Sequence, residues 1–255
     1  MLYGIKDSAN LTINKLSDGK KFLYADYCNQ TTNEWSADRV YAKKKGVNAI
    51  GWDGKKESTL KLSMEIWDFK WIAMLSGSDL VKGNSNILKR EVLTVAGGKV
   101  ILKEKPLVGS FSMFTVENDK VTHDLELEAT ASPSPEAGKY IFDTTDSTGK
   151  TVKLNATTCP DNSFVVCYYM INTKATTLEI KADKYPQGFE IFADTYIRPQ
   201  DGSSDEFVQI HYPNVRPKSN FTVTMDSENA SNLEVEFDLF PDADNNMAVY
   251  KIIEE

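Results

Sequence analysis

The feature that most constrains the fold is a two-residue alternation of apolar and polar side chains in many short runs. In Glu57–Glu65, the apolar residues Leu60, Leu62 and Met64 alternate with polar ones. This period places the two sets on opposite faces of a β-strand. Further runs with strand composition are Val92–Val95, Lys99–Leu102, Ser110–Val116, His123–Glu128, Tyr140–Asp143, Val152–Leu154, Phe164–Ile171, Thr177–Ile180, Phe189–Tyr196, Glu206–Val215, Asn220–Met225 and Asn232–Leu239. Turn-forming residues separate them, so the sequence predicts an all-β sandwich or barrel.

The sequence predicts one α-helix, at Ile66–Ser76, with Gly77 as its C-cap. At helical spacing this segment has two apolar sides and almost no polar one. Either the helix is buried between two layers of one domain, or it packs on its own sheet and a partner covers its second side. The candidates for helix packing or a subunit interface are Trp67, Phe69, Trp71, Ile72, Met74 and Leu75.

The last predicted strand has a row of carboxylates on one face. In Asn232–Leu239, apolar residues alternate with Glu234, Glu236 and Asp238. Such a row is typical of a solvated face, although like charges side by side repel one another. A second candidate polar face in the first half of the chain is mixed in charge and consists of Lys61, Ser63 and Glu65.

The formal net charge of −8 is unevenly distributed along the chain. Residues 1–106 contain 18 Lys/Arg and 12 Asp/Glu, whereas residues 107–255 contain 11 and 25. Tight binding of nucleic acid needs basic side chains that neutralise phosphates, so this balance argues against a nucleic-acid-binding protein. It fits either a solvated acidic half or a subunit whose basic surface meets a neighbour's acidic surface.

No motif for catalysis or for metal or cofactor binding is recognisable, and we predict no catalytic residue, no metal site and no cofactor. The two histidines lack zinc-ligand spacing, and the run that begins at Asp242 lacks the glycine and glutamate of a calcium loop. We expect three reduced cysteines, no secretory signal and no membrane span. Trp35 and Trp52 are candidates either for sugar binding or for core packing.

The order of several features resembles the tail tube proteins of tailed bacteriophages, which are related to the tubes of contractile injection systems. The resemblance covers about half of the chain, at its two ends, and depends on pattern and order. The segments that carry it are Val40–Lys43, Ala49–Trp52, Gly54–Leu62, Ile66–Gly77, Gln209–Lys218, Phe221–Met225 and Asn232–Leu239.

This resemblance implies a structural virion protein whose β-sandwich subunits form hexameric rings, stacked into a channel that delivers DNA to the host. Its implied partners are copies of itself, the tail terminator, the baseplate and tape-measure proteins and, if the tail is contractile, a sheath, with DNA passing unbound. The virion tail would be assembled in the host bacterial cytoplasm. Because carboxylates repel phosphate, Glu234, Glu236 and Asp238 are the candidate lumen-facing residues. The mixed face of Lys61, Ser63 and Glu65 is the alternative.

The chain is longer than a compact tail tube protein. We therefore expect a discontinuous tail-tube core, residues 1–106 and 187–255, and an inserted small immunoglobulin-like β block, residues 107–186. One continuous domain is the alternative. Two other functions remain open from the sequence: a carbohydrate-binding or adhesin-like β-sandwich, and a hydrolase on a β-scaffold.

Overall fold

A computed structural model describes residues 2–5, 7–118, 120–129, 134–202, 204–228 and 230–253 of the chain. Strands account for 56% of the residues that the structure describes and are accompanied there by one short helix, which confirms the predicted all-β class. The helix, α1, is Phe69–Ser76. The strands are β1 Tyr3–Ile5, β2 Asn10–Lys15, β3 Lys21–Ala25, β4 Gln30–Lys44, β5 Val47–Met64, β6 Leu80–Thr94, β7 Lys99–Ile101, β8 Ser112–Glu117, β9 Lys120–Leu127, β10 Lys139–Phe142, β11 Thr151–Leu154, β12 Phe164–Leu178, β13 Phe189–Pro199, β14 Glu206–Pro217, β15 Leu233–Leu239 and β16 Val249–Ile252.

The chain forms two compact units. Unit 1 comprises Met1–Val81 and Leu178–Glu255, and unit 2 comprises Lys82–Thr177. The chain leaves unit 1 within β6 and returns to it within β12. Unit 2 overlaps the predicted inserted block, residues 107–186, but has different bounds. That this unit is an insertion into a tail-tube core stays a prediction.

Unit 1 is built on a nine-stranded sheet with the path β3-β2-β13-β14-β15-β5-β4, in which β1 also pairs with β13 and β16 with β14. Antiparallel pairing of β15 with β5 sets Leu233, Val235 and Phe237 directly opposite Met64, Leu62 and Leu60. Residues opposite one another on antiparallel strands share a face. All six side chains are at most 2% exposed, so this face of the sheet forms the core of unit 1.

Helix α1 begins three residues later than the sequence predicts, because Asp68 caps it. The Asp68 side chain accepts a hydrogen bond from the backbone N–H of Lys70 at 2.9 Å, which satisfies one of the free donors of the first turn. The helix ends as predicted at Gly77, which has a left-handed backbone (φ +66°). The next N–H, that of Ser78, donates to the carbonyl of Ala73 at 2.9 Å.

The predicted strand Asn220–Met225 is wrong. Its alternation is real, since Phe221 and Val223 are partly buried against the core of unit 1, while Thr222 and Thr224 are exposed. However, this segment forms no β-ladder with a neighbouring strand. Alternate burial of an extended segment therefore produces the same sequence pattern as a strand.

Unit 2 contains a seven-stranded sheet with the order β6-β12-β8-β9-β10-β11-β7 and has a core of its own. This core holds the Tyr169 side chain, whose hydroxyl donates to a carboxylate oxygen of Glu91 at 2.6 Å. Glu91 is only 8% exposed, and its second oxygen accepts from the backbone N–H of Lys103. Both oxygens of this buried carboxylate are thus hydrogen-bonded.

Candidate functional site

The predicted row of carboxylates lies on one face of β15, opposite to the core. Glu234 is exposed, and Glu236 and Asp238 are half-buried, whereas the intervening apolar residues are buried. The two-residue alternation in the sequence therefore describes this strand correctly. We call the polar side of β15, β5 and the adjoining part of β4 the acidic face.

The register shows that the two candidate polar faces are largely one surface. Lys61 lies directly opposite Glu236, and Ser63 lies opposite Glu234, across the antiparallel β5–β15 pair. These residues consequently share a face. Glu65, the third member of the mixed face, follows the end of β5 and is exposed.

Two lysines partly neutralise the acidic face, and the sequence pattern did not reveal their partners. Lys218 Nζ lies 2.7 Å from a carboxylate oxygen of Glu236 and 3.4 Å from one of Asp238. Lys61 Nζ donates instead to Glu34 on β4, at 2.8 Å. The hydrogen bond to Glu236 raises the pKa of the Lys218 ammonium, and the bond to Glu34 raises the pKa of Lys61. With four carboxylates against two amines, the face stays negative at neutral pH.

A cleft of about 870 Å³ lies over the acidic face. Residues 219–224, which leave β14 without forming a strand, supply one side of its lining. Hydroxyls, amides, carboxylates and Lys61 dominate the lining, and its described residues include no histidine or cysteine. Among the residues that the structure describes, no three or more His, Cys, Asp or Glu side chains are grouped to hold a metal ion.

The six candidate helix residues divide into a buried and a more exposed set. Trp71, Ile72, Met74 and Leu75 are at most 5% exposed, and Trp71 Nε1 donates to the hydroxyl of Tyr27 at 3.0 Å. These four side chains pack within the core of unit 1.

The more exposed set consists of Phe69 and Trp67. Phe69 is 62% exposed, and Trp67 is half-buried with its ring edge-on to that of Phe69 at 5.4 Å. Trp67 also lines a second cleft, of about 430 Å³, together with Tyr24 and Ile66. Among the six candidate residues, Phe69 and Trp67 at the N-terminal end of the helix region are therefore the two that unit 1 leaves accessible to a partner.

Two further residues considered for chemistry, His211 and Asp242, are engaged in local structure. His211 Nε2 lies 2.8 Å from a carboxylate oxygen of Glu190, and its ring stacks on Phe192 at 4.4 Å. Asp242 caps a turn by accepting the backbone N–H groups of Asp244 and Asn246.

The cysteines and the two candidate tryptophans have opposite environments. The three cysteines are free thiols and buried, and burial raises the pKa of each. Trp35 and Trp52 are 41% and 53% exposed on β4 and β5, so their interpretation as core residues is wrong. Both belong to a part of this hairpin that lies beyond the last residue of β5 paired with β15.

The model of the YomU/Tube protein family matches residues 3–253. The chain belongs to this family. The Bacillus phage SPR tail tube protein is 26% identical over 257 residues, which cover 96% of this chain and 87% of that protein. Membership of this tail tube family confirms the resemblance seen in the sequence and indicates a structural role in the tail of the virion. Among the described residues, no helix is long and apolar enough to cross a membrane.

Proposed function

We propose that copies of this chain form hexameric rings, which stack into the tube through which DNA leaves the phage. The observation that carries this proposal is the family match over residues 3–253, together with the tail tube relative. A tube subunit needs extended sheets and no catalytic machinery, so the role is structural. Assembly takes place in the host cytoplasm, and the ends of the tube meet terminator, baseplate and tape-measure proteins and, in a contractile tail, a sheath.

In this proposal the acidic face lines the channel. Its exposed Glu234 and half-buried Glu236 and Asp238 alternate with a buried apolar set, so a wall built from β15 would be negative towards the lumen and apolar towards the core. A negative wall repels phosphate and prevents DNA from binding during passage. The amines of Lys61 and Lys218 are both engaged by carboxylates, which keeps these two cations from acting as free phosphate ligands.

Neighbouring subunits within a ring would meet at the open end of the helix region. Phe69 and Trp67 present aromatic surface there beside the cleft that contains Tyr24 and Ile66. Exposed aromatic clusters of this kind are typical of protein interfaces.

Charge reversal at Glu234 tests the channel assignment. Glu234 is exposed and belongs to no ion pair with Lys218, so Glu234→Lys changes the charge of the wall and leaves the Lys218 pairs in place. We expect phage that carry this change to build tubes but to eject DNA more slowly, with Glu234→Gln intermediate. Glu104→Lys, an exposed site in unit 2, is the matched control and should eject normally. Ejection at the wild-type rate from Glu234→Lys phage would show that Glu234 does not face the DNA.

A further inference from the structure

Strands β14 and β15 pair over only three residues each, and the ladder ends at Pro217. One further bond follows, from the backbone N–H of Lys218 to the carbonyl of Glu236 at 2.8 Å. Beyond this bond, the described residues of the two segments make no backbone hydrogen bond to each other. We call the two segments that diverge here, residues 219–222 and 232–235, the fork.

Both segments of the fork line the cleft of about 870 Å³ over the acidic face. Peptide groups along an antiparallel strand point alternately to its two sides. Since the carbonyl of Glu236 is directed at Lys218, the N–H and carbonyl of Glu234, two residues earlier, point to the same side. Among the described residues, no strand pairs with Glu234 on that side. The cleft is therefore bordered by an unpaired strand edge.

The sequence of residues 219–222 fits a strand at this edge. Continued in the register of the existing ladder, Asn220 lies opposite Glu234, and Phe221 lies opposite Leu233. Leu233 is buried in the core of unit 1, and Phe221 is already partly packed against that core. Asn220 would lie on the polar face beside Glu234. The alternation in this segment therefore matches the position at which it would pair.

Closure of the fork involves two opposing contributions of similar size. Pairing fixes the backbone of residues 219–222, which costs conformational entropy. It also replaces hydrogen bonds to water with backbone hydrogen bonds, whose net gain is small for each bond. Because these contributions nearly cancel, a neighbouring copy that contacts only the closed form is enough to shift the equilibrium towards it.

We propose that the fork closes when copies of this chain assemble: residues 219–222 pair with β15, extend β14 and fill the cleft. Backbone N–H groups that lack a partner are ligands for phosphate. Closure pairs the N–H of Glu234 with the carbonyl of Asn220 and so removes such a ligand from the acidic face. This inference rests on the proposed function, because it concerns the surface assigned there to the channel.

Amide hydrogen exchange, measured on the free subunit and on assembled tubes, tests closure directly. We expect the N–H groups of Asn220 and Glu234 to exchange at least about a hundredfold more slowly in tubes, since each is then hydrogen-bonded within a ladder. Equal exchange rates in the two states would overturn the inference.

A proline in the fork prevents pairing without emptying the core. Asn220 is exposed, and Asn220→Pro removes the N–H that would donate to Glu234. We expect an unchanged melting temperature and an about tenfold higher concentration for assembly, because the closed form becomes rarer. The matched control is Met225→Pro, at a 93% exposed site beyond the fork, which should assemble normally. Assembly of Asn220→Pro at the wild-type concentration would contradict closure.

A disulfide tests the register of the closed fork. Thr222 and Asn232 lie opposite one another in that register, and the three native cysteines are buried. We expect the oxidised Thr222→Cys/Asn232→Cys variant to assemble at an about tenfold lower concentration than its reduced form, because the bridge holds the fork closed beforehand. The control pair, Thr224→Cys/Asn232→Cys, is two residues out of register and should not cross-link in tubes. Equal cross-linking of the two pairs would show that the register is wrong.

The outcomes separate this inference from the tube proposal. If the wild type forms tubes in which Asn220 and Glu234 exchange as fast as in the free subunit, closure is wrong and the tube proposal stands. If the wild type stays monomeric at every concentration, both fail. If Glu234 is equally protected in tubes of the wild type and of Asn220→Pro, a strand from another source fills the fork, and closure by residues 219–222 is wrong.

Discussion

Lys61 and Glu236 lie directly opposite one another across β5 and β15, yet each bonds a different partner. The amine of Lys61 donates to Glu34 at 2.8 Å, and the carboxylate of Glu236 accepts from Lys218 at 2.7 Å. The acidic face consequently contains two ion-paired groups, Lys61 with Glu34 and Lys218 with Glu236 and Asp238. Each lysine makes the face less negative, and each can be substituted while the other stays in place.

Removal of the Lys218 amine should weaken unit 1 modestly. In Lys218→Met, the carboxylates of Glu236 and Asp238 lose their shared cation, and we expect the free energy of unfolding to fall by about 1 kcal/mol at most, since these side chains are partly exposed. The difference from the wild type should shrink in 1 M salt, roughly the condition at which surface charges are screened within a few ångström. Urea denaturation at low and high salt measures this.

The pairing of Lys218 with Glu236 also determines how its contribution to stability changes with pH. The pKa of Lys218 is raised in the folded state, above its ordinary value of 10.5, so the pair stabilises fully below that value. Its contribution disappears as the pH rises through the folded-state pKa, where the amine loses its proton. A wild-type advantage over Lys218→Met that grows at pH above 10.5 would contradict this pairing.

Two substitutions in the helix region should distinguish a residue needed for assembly from one needed for folding. Phe69→Ser removes a 62% exposed ring, so we expect an unchanged melting temperature and weaker ring formation. Trp71→Ala instead empties a fully buried position and breaks the bond to Tyr27, which should cost about 3–5 kcal/mol of stability. Thermal melts and sedimentation velocity on both variants check the contrast. Equal assembly by Phe69→Ser and the wild type would remove Phe69 from the interface.

Gly77→Ala should destabilise unit 1 although it adds a single methyl group. Gly77 has φ +66°, and an added Cβ would clash with the backbone carbonyl oxygen of Tyr185. A left-handed residue other than glycine costs on the order of 1–3 kcal/mol, and the contact with backbone adds to this. Gly97 has a similar φ of +60°, and an added Cβ there would have no neighbour within 4 Å. Gly97→Ala therefore measures the cost of the left-handed backbone alone. Equal melting temperatures for the two variants would contradict the close approach.

The buried thiols should be unreactive in the folded protein. Burial raises the pKa of Cys28 to about 11 and that of Cys167 to about 12, so at pH 8 we expect reaction with a thiol reagent only after unfolding. Above pH 9 the unfolded chain loses thiol protons that the folded chain retains, and stability should therefore fall with rising pH. Cys167→Ala should show a shallower fall than the wild type, measured by denaturation between pH 9 and 11. Rapid labelling of the folded protein at pH 8 would contradict this burial.

Local patterns in the sequence predicted the acidic strand well. The alternation in β15 and in the second half of β5 correctly predicted which side chains are buried and which face solvent, because each strand has one buried and one solvated side. The helix was also recognised, although Asp68 begins it later than expected by capping its first turn. Family membership, found from the order of such segments, was confirmed over nearly the whole chain.

Contacts between residues far apart in the chain could not be predicted from local sequence patterns. The pairing of Lys218 with Glu236 joins residues on different segments, and no spacing rule reveals it. Phe221 and Val223 alternate as strand residues do, yet they pack on the core without a ladder. Trp52 is a large apolar residue of the kind that cores contain, but it is exposed on the outer part of the β4–β5 hairpin. In each case the deciding contact, or its absence within the described chain, comes from tertiary structure.

A density map of the assembled protein tests the central claim most directly. Electron cryo-microscopy of tubes formed by the purified chain locates β15 relative to the central channel. We predict hexameric rings in which Glu234 and Glu236 face the lumen while Val235 faces the interior of the subunit. A map in which the polar side of β15 lies on the outer surface of the tube, or is buried between subunits, would contradict the account.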